Sequence, residues 1–387
     1  MTNSTSRMNT IQSPLIPIIG EMIKQSPGTI SLGQGVVFYP PPKEAIAQIS
    51  NFLENPNNHL YKSVVGIPPL LDLITKKLQK DNQIRITQEN AIVVTAGGNM
   101  AFINAILAIT NPGDEIILQT PYYFNHEMAI KMANCKVILV ETDEKYQLQP
   151  ELIAQAITPQ TKAIVTISPN NPTGVIYNKE SLQKVNQLCQ EKGIYHISDE
   201  AYDYFTYDDN QHISVASFSN STNYTISLFS LSKAYGFASW RIGYMVIPKH
   251  LLLAVKKVQD TILICPPVIS QYAALGALGV GKKYCDKHLI QIDKIRKTVI
   301  ERLSPIQDKC QWSSSDGAFY LFLKINSSIN AFDLAKKLIF EHKIALIPGT
   351  TFGMNKNCYM RVAYGALNEE TVIEGITRLV RGLKKII

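Results

Sequence analysis

Seven short runs rich in β-branched residues, spaced by longer segments, fill the chain from residue 90 to residue 247. They lie at 91–95, 115–119, 136–140, 162–167, 194–198, 225–229 and 243–247. Each has the length and apolar continuity of a buried strand. Between them, 100–107 and 179–191 carry helical patterning. This alternation predicts an α/β fold whose mostly parallel seven-stranded sheet is flanked by helices. In such sheets ligands gather beyond the carboxyl ends of the strands. Gly98, Asn171, Asp199 and Lys233 each follow or end a different run, so they are expected at that edge.

The tail is patterned differently. Strands are expected at 319–323, 344–347 and 359–363, and helices at 332–341 and 369–385, which suggests a smaller α+β domain. A chain of 387 residues suits two domains. Its 38 basic and 31 acidic side chains give a net charge of +7 with no long basic run, which argues against nucleic acid as a partner. No apolar stretch approaches membrane-spanning length. Residues 1–12, rich in Ser, Thr and Asn, read as a frayed tail without the apolar centre of a secretory signal. The six cysteines are scattered without Cys-x-x-Cys spacing or a His cluster. No metal site is expected, and the thiols read as reduced in a cytoplasmic protein.

The most telling chemistry lies in Ser230-Leu231-Ser232-Lys233, followed by Arg241-Ile242-Gly243. A lysine amine can form an imine with an aldehyde, and two hydroxyls and a guanidinium suit a phosphate ester. An aldehyde and a phosphate on one cofactor describe pyridoxal phosphate, PLP. A lone lysine is more often a solvated surface residue, so the companions decide. Gly97-Gly98-Asn99 stands between a strand and a helix, where free N–H groups and the helix dipole favour phosphate; alone, a glycine pair is more often just a turn. Asp199 ends a strand and could be a helix cap, or it could hold a pyridine nitrogen protonated. Arg361 sits within an apolar run, where a guanidinium is costly without an anion. A structural ion pair would satisfy it; so would the carboxylate of an amino-acid substrate, gripped in two places.

Taken together and in this order, these segments resemble the class I/II aminotransferases, PLP-dependent enzymes of fold type I. The resemblance runs from about residue 31 to the C-terminus. It rests on Ser230-x-Ser232-Lys233 with Arg241-x-Gly243, Asn170-Asn171-Pro172-Thr173-Gly174, Asp199-x-x-Tyr202, Pro121-Tyr122-Tyr123 and Tyr61-x-x-x-x-Gly66. It implies PLP on Lys233, a phosphate cup from Gly98, Asn99, Ser230, Ser232 and Arg241, and Tyr123 stacked on the ring. Asn171 and Tyr202 would meet the cofactor's phenolic oxygen, and Asp199 its ring nitrogen. Gly35 (in Gly33-Gln34-Gly35), Asn171 and Arg361 would hold the substrate carboxylate. Tyr61 would reach the phosphate of a partner subunit, making the protein a homodimer; a plain surface tyrosine is the other reading. The N-terminal segment would join the tail, giving a large domain at 48–285 and a discontinuous small domain at 1–47 and 286–387. Two departures stand out. Ser239 replaces the usual glycine before Trp240-Arg241, and Val36-Val37-Phe38 replaces the usual acidic-aromatic segment after Gly35.

The implied activity is amino transfer between an amino acid and a 2-oxo acid by a ping-pong route, with Lys233 as acid and base. Its pKa should be lowered by burial and nearby cations. A carbon–sulfur lyase or a decarboxylase on the same scaffold is the alternative; a PLP-binding regulatory domain would need a DNA-binding module, and no helix-turn-helix pattern precedes the fold. Some aspartate-type relatives carry a lysine where Asn99 stands. With Ile16, Ile18, Phe38 and Tyr39 available as an apolar entrance, a neutral or aromatic amino donor is expected.

Overall fold

The protein is described by a computed structural model covering residues 7–387, so the first half of the expected N-terminal tail lies outside the described residues. In the second half Arg7–Thr10 forms a short 3-10 helix and Ile11 is buried, so the chain there is packed rather than frayed. All seven expected strands form, in one sheet. Its spatial order is Asn90–Thr95, Gly243–Pro248, Thr225–Ser230, Tyr195–Asp199, Thr161–Ile167, Glu115–Thr120 and Lys136–Glu141. Gly243–Pro248 runs antiparallel to both neighbours, and the remaining pairings are parallel. The apolar runs are continuous because both faces are covered. Val93, Ile116, Leu118, Val165 and Met245 pack on one side with Phe102 and Ile106. Ile117 and Ile164 face the other way, toward Leu182, Val185 and Cys189.

The tail forms a second, antiparallel sheet ordered Ile347–Pro348, Cys358–Ala363, Tyr320–Ile325 and Cys310–Trp312. Helices Ala331–His342 and Glu369–Ile386 accompany it. The run expected as one strand at 344–347 is divided. Ile344–Ala345 pairs in parallel with Ile30–Ser31, whereas Ile347–Pro348 pairs with Cys358–Ala363. Leu346 is where the chain changes partners, so neither half extends.

Several helices escaped the sequence reading: Lys43–Glu54, Pro68–Asp81, Leu252–Leu263, Val268–Val280 and Lys282–Leu303. Val268–Val280 buries Ser270, Gln271, Ala273, Ala274, Gly276, Ala277 and Leu278, so it lacks a simple polar face. It packs closely on Lys43–Glu54. Gly276 permits that approach, since a Cβ there would stand 2.1 Å from the Glu44 carbonyl oxygen.

Candidate active site

The parallel strands end at one edge of the sheet, and each delivers a polar segment there. After Thr95, Gly97 adopts φ +82° and opens helix Gly98–Ile109. The first N–H groups of such a helix have no intrahelical acceptor and point outward. After Ser230 a short helix, Leu231–Ala234, begins; the Ser230 hydroxyl accepts from the Ser232 N–H at 3.2 Å. Because Gly243–Pro248 runs the other way, its leading residue Arg241 arrives at the same edge. Arg241 Nη1 donates to the Ala238 carbonyl at 2.8 Å and Nη2 to the Ala96 carbonyl at 3.3 Å. A Cβ at Gly97 would lie 2.4 Å from Nη2, so only glycine leaves room for this guanidinium. Donors of three kinds thus converge: helix N–H groups, two hydroxyls and a guanidinium.

Lys233 is the centre of the cleft. Its amine donates to the Gly35 carbonyl, and its own carbonyl accepts from the Tyr39 hydroxyl at 2.9 Å. Burial, then Arg361 and Arg241, lower its pKa to about 8, while Asp199 acts the other way. The expected depression is therefore present, for the expected causes. Asp199 Oδ2 lies 3.1 Å from His126 Nε2, and its Oδ1 accepts from the Ala201 N–H at 3.1 Å. His126 stacks on Phe102 at 3.9 Å and meets the Tyr123 ring edge-on at 5.2 Å. The Tyr123 hydroxyl donates to Asn99 Oδ1 at 3.4 Å and accepts from Asn125 Nδ2 at 2.8 Å.

On the opposite wall Arg361 is buried, only 2% exposed. Its Nη1 donates to Asn171 Oδ1 and its Nη2 to the Gly33 carbonyl, both at 2.7 Å. The guanidinium lies over the rings of Tyr320 and Phe352, at 4.6 and 5.0 Å from their centroids. Among the described residues Nε has no hydrogen-bond partner, and Arg361 makes no ion pair. A buried cation without an anion is costly, which favours an anionic ligand over the structural ion pair.

Every residue expected to hold the cofactor or the substrate carboxylate, except Tyr61, lines this one cleft, whose free volume is about 190 Å³. Tyr61 is 77% exposed and lies outside it. Of the residues expected at an apolar entrance, only Ile16 lines the cleft; Ile18 does not, and Phe38 and Tyr39 pack instead against His288, Tyr39 stacked with a ring separation of 4.1 Å. The sequence reading missed Tyr320 and His126. Tyr320 sits inside a run that only signalled a strand. His126 lies three residues after Tyr123 at the start of a helix, a position with no chemical signature of its own. Among the described residues no group of His, Cys, Asp and Glu could hold a metal ion.

The sequence matches the family described as aminotransferase class I and II over residues 27–379. It is 30% identical over 383 residues to the aromatic aminotransferase ISS1 of Arabidopsis thaliana, covering 97% of this chain and 94% of that one. It is 34% identical to a probable aspartate/prephenate aminotransferase of Aquifex aeolicus, over 84% of each chain. Its fold superposes on a Thermus thermophilus aspartate aminotransferase variant with a TM-score of 0.90, 28% identity and coverage of 99% and 100%. An aromatic aminotransferase of Pyrococcus horikoshii gives a TM-score of 0.87 at 28% identity, with coverage of 95% and 99%.

Proposed function

The chain belongs to the class I and II aminotransferases, and from that premise we propose that it moves the amino group of a neutral or aromatic amino acid to a 2-oxo acid, with PLP held on Lys233. One observation carries the reading: the Lys233 amine, with its pKa lowered to about 8, stands in one cleft with a buried Arg361 that has no anionic partner among the described residues and with the carboxylate of Asp199. The donor set suits the cofactor. A phosphate can take the N–H groups of Gly98 and Asn99, the hydroxyls of Ser230 and Ser232, and Arg241. Asp199 would hold the ring nitrogen protonated, Asn171 and Tyr202 would donate to the phenolic oxygen, and Tyr123 would cover the ring face. When bound, PLP supplies an aldehyde that links to amines and a ring that draws electrons from the adjoining carbon.

The protein's own groups do the rest. The Arg361 guanidinium, with the backbone of Gly35 and the Asn171 amide nearby, fixes the substrate carboxylate. Lys233 Nζ, neutral in appreciable fraction near neutral pH, takes the proton from the substrate α-carbon and later returns a proton. Among the described residues, the cations lining the cleft are Lys233, Arg241 and Arg361. With those three engaged, none remains for a second substrate carboxylate, and Asn99 is neutral; this supports a neutral or aromatic donor.

We further propose a homodimer in which Tyr61 reaches the partner's phosphate. Its support is a set of exposed apolar side chains, Leu60, Tyr61, Ile262, Ile264 and Ile269. The 60–67 segment is tied to the helices carrying those isoleucines by Gln259 on the Val64 carbonyl and Gln271 on the Ile67 N–H. A large domain at 48–285 and a small one at 1–47 and 286–387 complete the proposal, with helices Lys43–Glu54 and Lys282–Leu303 crossing the boundaries. A cytoplasmic location is supported by six free thiols. No described helix is long and apolar enough to cross a membrane.

The test is a half-reaction. Purified protein loaded with PLP is mixed with an amino acid alone. Stoichiometric formation of the aminated cofactor and a 2-oxo acid is expected. Release of ammonia and pyruvate from a cysteine-type substrate without transamination would instead indicate a lyase.

A further inference from the structure

Tyr320 is fully buried, lines the cleft, and belongs to none of the segments that suggested the site. Its hydroxyl lies 2.7 Å from the Tyr202 hydroxyl. A Cβ at Gly35 would stand 2.5 Å from the same oxygen, so that glycine makes room for it. Two hydroxyls so placed share one hydrogen bond, and the surroundings decide which donates. Among the described residues Tyr202 is the Tyr320 hydroxyl's only hydrogen-bond partner. Were Tyr202 the donor, the Tyr320 proton would be buried and unpaired, a costly arrangement.

With Tyr320 as donor, the Tyr202 proton is left to point elsewhere. It cannot point to Asn171. Arg361 holds Asn171 Oδ1 at 2.7 Å, which turns the amide nitrogen toward the Tyr202 oxygen at 3.5 Å. The Tyr202 oxygen therefore faces two donors, and the remaining direction for its own proton is the cleft. Donation into Tyr202 also polarises its O–H and strengthens it as a donor in turn.

We propose that Tyr320 is a positioning residue that donates to Tyr202 and thereby aims the Tyr202 proton at the phenolic oxygen of the cofactor. The proposal rests on the reading of PLP at Lys233. It concerns the hydroxyl alone, because the ring has a separate task beneath the Arg361 guanidinium. Burial pushes the Tyr320 phenol up to about 12, with Arg361 and the Tyr202 hydrogen bond acting against it, and burial holds Tyr202 well above its ordinary value. Both phenols therefore keep their protons at working pH. The other titratable or charged groups facing the pair are Lys233, Asp199 with His126, Arg361, Arg241 and Tyr123.

The readout is the pH midpoint of the visible absorbance of PLP-loaded protein without substrate, which reports the proton on the Lys233 nitrogen. A strong donor to the phenolic oxygen favours loss of that proton. Tyr320→Phe should raise the midpoint by about 0.5 unit, less than Tyr202→Phe does. The double variant should match Tyr202→Phe alone. The amino-donor KM of Tyr320→Phe should stay within about twofold, since the phenyl ring still underlies Arg361. Incorporating 3-fluorotyrosine at position 320, a better donor of the same shape, should lower the midpoint, and this arm decides the matter if Tyr320→Phe does not fold. An unmoved midpoint, an additive double variant, or a fluorotyrosine shift that is upward or absent overturns the proposal. Wild-type protein that takes up no PLP overturns the functional reading as well, so the two failures are distinct.

Discussion

Arg361 Nη1 lies 2.7 Å from Asn171 Oδ1, across 190 residues of sequence. This bond joins the small antiparallel sheet to a loop of the large parallel one. It fixes the face of the Asn171 amide, while among the described residues the buried Arg361 Nε is left without a hydrogen-bond partner. Arg361→Lys replaces a planar fork by a point charge. We expect KM for the amino donor to rise about 10- to 100-fold, with kcat also reduced. Steady-state kinetics combined with Asn171→Ala in a double-mutant cycle should give non-additive losses, because the two side chains act on one carboxylate. Additive losses would mean that they act separately.

The proposed function puts the chemistry on Lys233. Lys233→Ala should abolish the pH-dependent visible absorbance of PLP-loaded protein and cut turnover by at least about 10³-fold. Absorbance spectra and single-turnover rates check this directly. Normal turnover in that variant would remove the basis of the assignment.

The depressed lysine also costs the apoprotein stability. Its pKa is about 8 in the fold and 10.5 ordinarily. Between those values the unfolded chain binds more protons, so stability due to this group rises with pH from about 8 to 10.5. Below 8 the full penalty of charging a buried amine applies. Apo Lys233→Met should therefore melt roughly 2–4 °C above apo wild type at pH 7. The gap should close as pH approaches 10.5. Calorimetry at both pH values tests the sign; a gap that widens with pH contradicts it.

Gly97 combines φ +82° with a Cβ position 2.4 Å from Arg241 Nη2. Gly97→Ala is strained and displaces the guanidinium. PLP affinity, measured by equilibrium titration of the apoprotein, should fall by about tenfold or more, corresponding to one weakened charge-assisted contact. Unchanged affinity would place the phosphate elsewhere.

Asn99 is a neutral residue at the cleft wall, within reach of the Tyr123 hydroxyl. A panel of amino donors should rank neutral and aromatic substrates above aspartate. Asn99→Lys should raise kcat/KM for aspartate relative to those donors by about tenfold. Aspartate outperforming every neutral donor in the wild type would reverse the proposed preference.

Local chemistry made much of this legible. β-Branched runs announced all seven strands of the large sheet, because a strand buried on both faces must be apolar throughout. Lys233, Asp199 and Asn171 stood out because strand ends in such a sheet are where ligands bind. Helix Val268–Val280 went unread because its buried side includes Ser270 and Gln271 while its exposed side carries Ile269, so no apolar-in, polar-out period shows. The run at 344–347 looked like one strand because its two halves differ only in the partners they find.

The chain by itself determined its strand-forming segments, the order in which reactive residues occur, and the glycines that leave room for them. Only the tertiary structure decided which of them meet. Arg361 finds Asn171, Tyr320 finds Tyr202 across 118 residues, and His126 finds Asp199. Strand propensity is a local property of backbone and side chain, whereas these contacts depend on sheet order and on one antiparallel strand that turns Arg241 to the working edge. Tyr320 and His126 carry no signature along the sequence because their roles come from neighbours that only folding supplies.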